Sequence, residues 1–326
     1  MDIYFSEQYG KLCELIEGGI CETYHYSSDA GVVKHMFIKR PICQLINGVQ
    51  YYDLVTPYGY GGPVVICVAA GQRQTLCHQF GEAFEKYCIN NHIVSEFVRF
   101  HPIICNAEGF KEIYHPVYLR KTLGTNLEAY EDPVQSEFTK GCRKKIRQEL
   151  ARGIRYRITE HPDNMDAFLE VYYATMKRNG APEFYYFSKA YFDTALELLR
   201  SKILFVEAIL EGKTIAACFD FIDDGIIHIH LSGTLNEYLY LSPEYILQYA
   251  TTLWGKEHGY RLIHRGGGIS NAPEDSLYSF KKKFSQNTEF DFYVGKKIWN
   301  KAIYEALCME MGSNMGSEFF PAYRRR

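Results

Sequence analysis

Along the chain, apolar residues recur with two different periods, and the switches between them lay out a series of strands and helices. After a short helical opening, residues 33–38, 42–46 and 49–55 read as three antiparallel strands, with Asn47-Gly48 supplying a tight hairpin turn. Asp53 to Pro63 is too rich in Gly, Pro and Tyr to continue a strand, and reads as a rigid loop leaving a strand end. Residues 72–91 place Leu76, Phe80, Ala83, Phe84, Tyr87 and Cys88 on one face of a helix, and 93–100 and 117–123 return to strand character. At Asp132-Pro133 the pattern resets, which places a domain boundary near residue 135.

The second half opens on a helix over 136–152, capped by Ser136 and ended by Gly153, with the narrow apolar stripe Phe138, Cys142, Ile146 and Leu150. A strand (154–159), two helices (163–177 and 188–200) and three antiparallel strands (203–210, 214–222 and 226–231) follow. Residues 231–238 read as a loop, and the next helix starts at Ser242-Pro243 and stops at Gly259. A strand at 260–264 then delivers Arg265 and Gly266-Gly267-Gly268; a compact helix bearing Lys281, a strand at 289–294 and a helix from Lys297 complete the order. The pattern implies an α/β (α+β) fold of two domains, 1–135 and 136–310. Each is a mixed, mostly antiparallel sheet flanked by helices, with the tail 311–326 packing back on the first domain.

Composition narrows the function classes. A chain of 326 residues with 47% apolar content suits two packed cores, and a formal charge of −3 gives no global attraction to nucleic acid, so any polyanion site is local. The ten cysteines are scattered with no CxxC pair or zinc-type spacing, which reads as buried small hydrophobes in a reducing compartment and predicts no metal site. The N-terminus carries neither a basic nor an apolar signal region, and no apolar run reaches the roughly 18 residues a spanning helix requires, so the expected location is cytoplasmic.

Chemistry concentrates in three places. On the helix after the glycines, Leu277, Phe280 and Phe284 share an apolar arc that Lys281 alone among the lysines joins. Such a lysine is either a placed cation with little solvent or one that lays its methylenes along the core and lifts its ammonium into water. The glycines ahead of it leave backbone open to an anion or a carbonyl oxygen. The second place is the 136–152 helix, where Lys140, Arg143, Lys144, Lys145 and Arg147 form a basic surface that is either a solvated face or an anion site. The third is the Tyr58/Tyr60 loop, whose rings either wall a cleft or pack on the core.

The element order of the second half is similar to that of the GNAT acyltransferase fold, and the first half looks like a shorter copy. Two such halves resemble the FemAB-like (Fem peptidyltransferase) branch, whose members add amino acids from aminoacyl-tRNA to the peptide stem of cell-wall precursors. The motifs carrying the resemblance are TPYGYGGP (56–63), KKIRQELARGIR (144–155), HLSGT (230–234), GGG (266–268), DSLYSFKKKF (275–284) and FFPAYR (319–324). The resemblance implies acyl or aminoacyl transfer to an amine of a bacterial cell-envelope precursor, either a peptidoglycan peptide or a polysaccharide precursor. It implies no tightly bound cofactor, a donor that is aminoacyl-tRNA or acyl-CoA, and an anionic or nucleotide-linked partner, with neither DNA nor an integral membrane segment involved. Lys281 occupies the place of the functional lysine in the branch's Phe-Lys-x-x-Phe motif.

Expected catalytic residues are Lys281, with His230, Asp53 and Asp275 as candidate bases, or with deprotonation assisted by the substrate itself. Expected substrate contacts are Tyr58, Tyr60, Arg143, Lys144, Arg147, Arg265, Gly266, Gly267 and Gly268. His230 lies in an alternating HIHL, which also suits an ordinary sheet residue. One departure bears on the donor: where an acyl-CoA enzyme of this fold carries a glycine-rich pyrophosphate loop, this chain has SGTLNEYLYLSP (232–243), and the family's coiled-coil tRNA arm is also missing. The alternatives are an acyl-CoA-dependent N-acetyltransferase acting on a nucleotide sugar or small amine, and a non-catalytic module that binds a cell-wall fragment.

Overall fold

The computed structural model describes residues 1–272, 274–314 and 317–325. In chain order the elements are α1 (Glu7–Glu17), β1 (Ile20–Ser28), β2 (Gly31–Pro41), β3 (Tyr52–Val55), β4 (Val64–Val68), α2 (Arg73–Asn90), β5 (Ile93–Arg99), α3 (Asn106–Gly109), α4 (Lys111–Tyr114) and β6 (Val117–Asn126). They continue as α5 (Pro133–Glu137), α6 (Lys140–Ala151), β7 (Arg155–Glu160), α7 (Asp166–Arg178), α8 (Lys189–Leu199), β8 (Ile203–Leu210), β9 (Lys213–Asp223), β10 (Ile226–Thr234), α9 (Glu244–Glu257), β11 (Leu262–Gly266), α10 (Ser276–Lys282), β12 (Thr288–Ile298) and α11 (Lys301–Glu310). The chain forms two compact units. One combines 4–119 with 291–326, the other 120–290 with the first three residues.

In the 4–119 unit the strand order is β1-β2-β3-β5-β12, with β4 also paired to β2. Only the β3–β5 pair is parallel. Helix α2 covers one face because its apolar stripe repeats every turn: Phe80 and Phe84 stack at 5.4 Å and pack with Val33, Phe37 and Val98. Strand β1 had no signature in the sequence, because none of its residues is fully buried and its tyrosines, not aliphatic residues, contact the helix; Tyr24 lies 5.1 Å from Phe84. The segments expected as strands at 42–46 and 49–51 instead make a single bridge, Ile46 to Val49, around the Asn47-Gly48 turn. Helix α11 and the turn at Ala322–Arg324 close over Ile42, Ile46 and Val94, so the C-terminal tail belongs to this core.

The 120–290 unit runs β6-β11-β10-β9-β8-β7. Every neighbouring pair is antiparallel except β10–β11. The helix expected over 136–152 is two elements. Phe138 is extended (φ −90°, ψ 135°) so that its ring meets Phe284 at 5.1 Å, and Thr139 restarts the helix as a cap on the Cys142 amide. The expected cap at Ser242 is also corrected, since Ser242 is left-handed (φ 50°) and α9 begins at Glu244. Strand β10 extends through Thr234, and a 3₁₀ turn (Asn236–Leu241) fills what was expected as open loop.

Candidate active site

Strands β10 and β11 pair for only three residues, from Ile226/Leu262 to His228/His264. Beyond this point β10 follows β9 through a bulge at His230, while β11 stays with β6 and bulges at Arg265. The two strands therefore part, and a cavity of about 560 Å³ opens there, lined by Ile229 and His230 of β10, Glu244 and Tyr245 of α9, and Phe280 and Lys281 of α10. A bulge re-aims side chains and interrupts the ladder, which is what a ligand cleft within a sheet requires.

Lys281 reaches this cavity because α10 is short and anchored at both ends. Asp275 caps its first turn, accepting from the Tyr278 amide at 2.7 Å, and Phe284 is fully buried beyond its last turn. The ammonium of the partly buried Lys281 donates to the Gly267 carbonyl at 2.8 Å. Burial, seconded by the positive Arg265, pulls its pKa down to about 8 against the opposing pull of Asp275. The ammonium is thus held on the backbone while the side chain stays partly exposed.

The glycine segment is built for close approach of its own backbone. Gly266 has a φ of 69°, and a Cβ on Gly268 would lie 2.5 Å from Asp275 Oδ1. Asp275 also accepts from the Ile269 and Ser270 amides at 2.8 and 2.7 Å; the Tyr278 amide first, then Ser270 and Ile269, hold its pKa down at about 2, so it is a loop organiser and not a base. Arg120, which nothing in the sequence singled out, donates to the Gly268 carbonyl at 2.5 Å and braces the loop from β6. The loop thus turns two carbonyls toward cations.

His230 shares the cavity with Lys281. Its Nε2 lies 2.9 Å from the Tyr191 hydroxyl, and burial drives its pKa down to about 3, so it stays neutral at physiological pH. Glu244 and Arg178 also line the cavity, two residues the sequence did not single out. Glu244 accepts from the Thr234 hydroxyl, and Arg178 donates to the Thr234 carbonyl at 2.9 Å and to Asn236 Oδ1 at 2.6 Å.

Other expected contacts lie elsewhere. Arg265 is 1% exposed: it donates to Thr125 at 2.9 Å, to Thr252 at 3.1 Å and to Gln248, with the rings of Phe284 and Phe138 on its faces. It therefore meets no ligand directly and acts on the cavity through its charge. Arg143 turns inward, donating to the carbonyls of Gln135 and Phe138, while Lys144 and Arg147 are exposed on α6 and do not line the cavity. Part of the basic run is neutralised, since the buried Glu149 holds Lys145 at 2.8 Å and Arg152 at 3.0 Å.

Three expected residues belong to the 4–119 unit. Asp53 is fully buried and clamped between Arg40, at 2.7 Å, and Arg324, which makes it a structural anion in place of the expected base. Tyr60 packs edge-on against Tyr4 and Phe292 at 5.3 and 5.2 Å. The Tyr58 carbonyl accepts from the Tyr9 hydroxyl at 2.6 Å.

Residues 136–282 match the family model described as the acetyltransferase (GNAT) domain. The match places a GNAT-like domain within the 120–290 unit. Among solved structures, that of FemX aligns with a TM-score of 0.70 at 13% identity, covering 94% of each chain. The C-terminal domain of a lysylphosphatidylglycerol synthetase from Agrobacterium fabrum follows at 0.57 and 15% identity, with 93% of this chain and 90% of that one covered. A tandem GNAT protein of the clavulanic acid biosynthesis pathway gives 0.51 at 9% identity, covering 89% of this chain and 95% of that one. No curated protein matches the chain by sequence. The fold is similar to that of FemX and of the tandem GNAT protein over nearly the whole chain, two GNAT-like units of mixed, mostly antiparallel sheet flanked by helices. Among the described residues, no helix is long and apolar enough to cross a membrane.

Proposed function

We propose that the cavity between β10 and β11 carries out aminoacyl or acyl transfer to an amine of a bacterial cell-envelope precursor. The observation that supports this reading is the Lys281 ammonium held on the Gly267 carbonyl beside the opening of the sheet. In such a reaction the acceptor amine attacks the donor carbonyl, a C–N bond forms, and negative charge grows on the carbonyl oxygen. The donor C–O or C–S bond then breaks, and the proton lost by the amine ends on the leaving group. A lysine whose pKa has fallen to about 8 is still mostly charged at neutral pH, so it can stabilise the oxyanion, and it gives up a proton more readily than an ordinary lysine. His230, neutral and tied to Tyr191, shapes the wall, and deprotonation of the amine is assigned to the substrate or solvent.

An aminoacyl donor is favoured over acyl-CoA by Glu244. A diphosphate placed at the start of α9 would need free amides and positive charge, whereas this chain sets a carboxylate in the first turn behind a 3₁₀ segment. The same carboxylate suits the α-ammonium of an aminoacyl group. The similarity to the structures of FemX and of lysylphosphatidylglycerol synthetase supports an envelope acceptor.

The test is a transfer assay with the full chain. Labelled aminoacyl-tRNAs and acetyl-CoA are each offered with nucleotide-linked muropeptides, amino sugars or phosphatidylglycerol. Label appearing from aminoacyl-tRNA on a muropeptide or amino sugar supports the proposal, whereas label on phosphatidylglycerol, which offers a hydroxyl and no amine, would replace the acceptor assignment. Transfer from acetyl-CoA alone would replace the donor assignment, and no transfer from any donor would sink it.

A further inference from the structure

The 4–119 unit holds a second cavity, of about 470 Å³, that the transfer chemistry does not use. Its polar side is cationic: Arg40, Arg99, Lys296 and Arg324 all line it. Two buried carboxylates hold the arginines from behind. Asp53 bonds Arg40 at 2.7 Å and also Arg324, while Glu17 bonds Arg99 at 3.2 Å and lies 4.0 Å from Arg40. Among the described residues, Lys296 bonds only the Glu318 backbone carbonyl, at 2.9 Å. Among the described residues, four cations therefore face two buried anions, and the one acid on the lining itself, Glu318, has an exposed side chain at the rim.

The charges are restrained as well as unbalanced. The side chains of Arg40, Arg99 and Arg324 are 15%, 24% and 27% exposed, so their mutual repulsion is only partly screened by water. The hydrogen bonds made by the described residues engage Nε of Arg40, Nη1 of Arg99, and Nε and Nη2 of Arg324, which leaves a terminal nitrogen on each guanidinium for another acceptor. Arginines fixed at one edge and open at the other form a pre-organised fork for phosphate oxygens. The rest of the wall is apolar and aromatic, including Val55, Phe97, Leu119, Val294 and Phe319.

We propose that this cavity binds a phosphate ester whose phosphate meets Arg40, Arg99, Arg324 and Lys296 and whose apolar or aromatic group lies along Phe97 and Phe319. A phosphate carries the two negative charges that the four cations lack, and a bare anion would leave the apolar wall unfilled. The site does not depend on the transfer reaction, so its test is a binding measurement.

Calorimetry on the full chain, at low and at high salt, would compare inorganic phosphate, nucleoside diphosphates and a short-chain phosphatidic acid below its micelle concentration. The expected result is that at least one ester binds at least about tenfold more tightly than inorganic phosphate, with affinity falling as salt rises. The ester that binds tells a nucleotide source from a lipid source. Lys296→Gln, which removes no carboxylate's partner, is expected to weaken the ester about fivefold or more. Arg99→Lys, which keeps the charge beside Glu17 but loses the fork, should do the same. Phe319→Ser is expected to weaken the ester and leave inorganic phosphate unchanged. The proposal is overturned if no phosphate compound binds, if inorganic phosphate binds as tightly as every ester, or if the folded Lys296→Gln protein binds as the parent does.

Discussion

The Lys281 ammonium lies 2.8 Å from the carbonyl oxygen of Gly267, fourteen residues earlier in the chain. This one bond ties α10 to the turn after β11 and fixes where the charge is presented, so the cation is positioned by the backbone and not by a neighbouring acid. A carboxylate partner would neutralise it; a carbonyl leaves it available to a developing oxyanion.

Replacing Lys281 with Met is expected to lower the transfer rate about 10²-fold or more while the protein stays folded. The steady-state rate of aminoacyl or acyl transfer measures this. An unchanged rate with an unchanged melting temperature would remove Lys281 from the chemistry.

The transfer rate should have an alkaline limb near pH 8, where Lys281 loses its proton, and Lys281→Arg should move that limb to higher pH. Stability has the opposite sign. The folded pKa of about 8 lies below the ordinary lysine value of 10.5, so between these values the unfolded chain binds more protons. The Lys281 contribution to stability thus rises with pH across that window, and denaturant titrations of the parent and Lys281→Met at pH 7 and 9.5 would detect it as a smaller gain in the variant.

A methyl group at Gly268 has no room, since it would meet both carboxylate oxygens of Asp275 within 2.9 Å. Gly268→Ala is therefore expected to cost about 1–3 kcal/mol and to reduce transfer. Thermal melts and the transfer assay read the two effects, and wild-type behaviour in both would show that the loop tolerates the displacement.

Removing the carboxylate between Arg40 and Arg324 should destabilise the protein by about 3–5 kcal/mol, because it strands two partly buried guanidiniums. Asp53→Ala tests this by chemical denaturation. A loss below about 1 kcal/mol would show that water satisfies the arginines.

Glu244→Gln keeps the shape of the cavity and the bond from Thr234 while removing the charge. It should raise KM for an aminoacyl donor several-fold and leave any use of acyl-CoA unchanged or improved. Equal KM values for the aminoacyl donor in parent and variant would separate Glu244 from donor choice.

Much of the fold was legible because the aliphatic stripes are regular. The α2 stripe and the β8–β10 alternation both read correctly, with boundaries shifted by a few residues at most. Strand β1 was not legible, since its alternation is of tyrosine with polar residues and none of it is fully buried. The break at Phe138 was hidden because helix stripe and core contact place the same ring inward. In the site, Lys281 stood out by its angle on the helix. Arg265 stood out equally by its position before the glycines, yet its environment of rings and hydroxyls is assembled from residues 125, 138, 248, 252 and 284, and no local pattern encodes that. Arg120, Arg178 and Glu244 were illegible for the same reason: their partners are 148, 56 and 10 residues away.

The division of the chain has a practical and a kinetic consequence. Asp2, 2% exposed, is bonded to His228 at 2.8 Å, so the first three residues complete the unit whose remaining chain starts at residue 120. Neither unit is a single contiguous piece, and the chain passes between them at 3/4, 119/120 and 290/291. A fragment cut at any one of these points lacks part of a core. On the ribosome the 4–119 unit cannot close until residues 291–326 have emerged, whereas the 120–290 unit, whose remote residues 1–3 are made first, has all of its sequence out earlier.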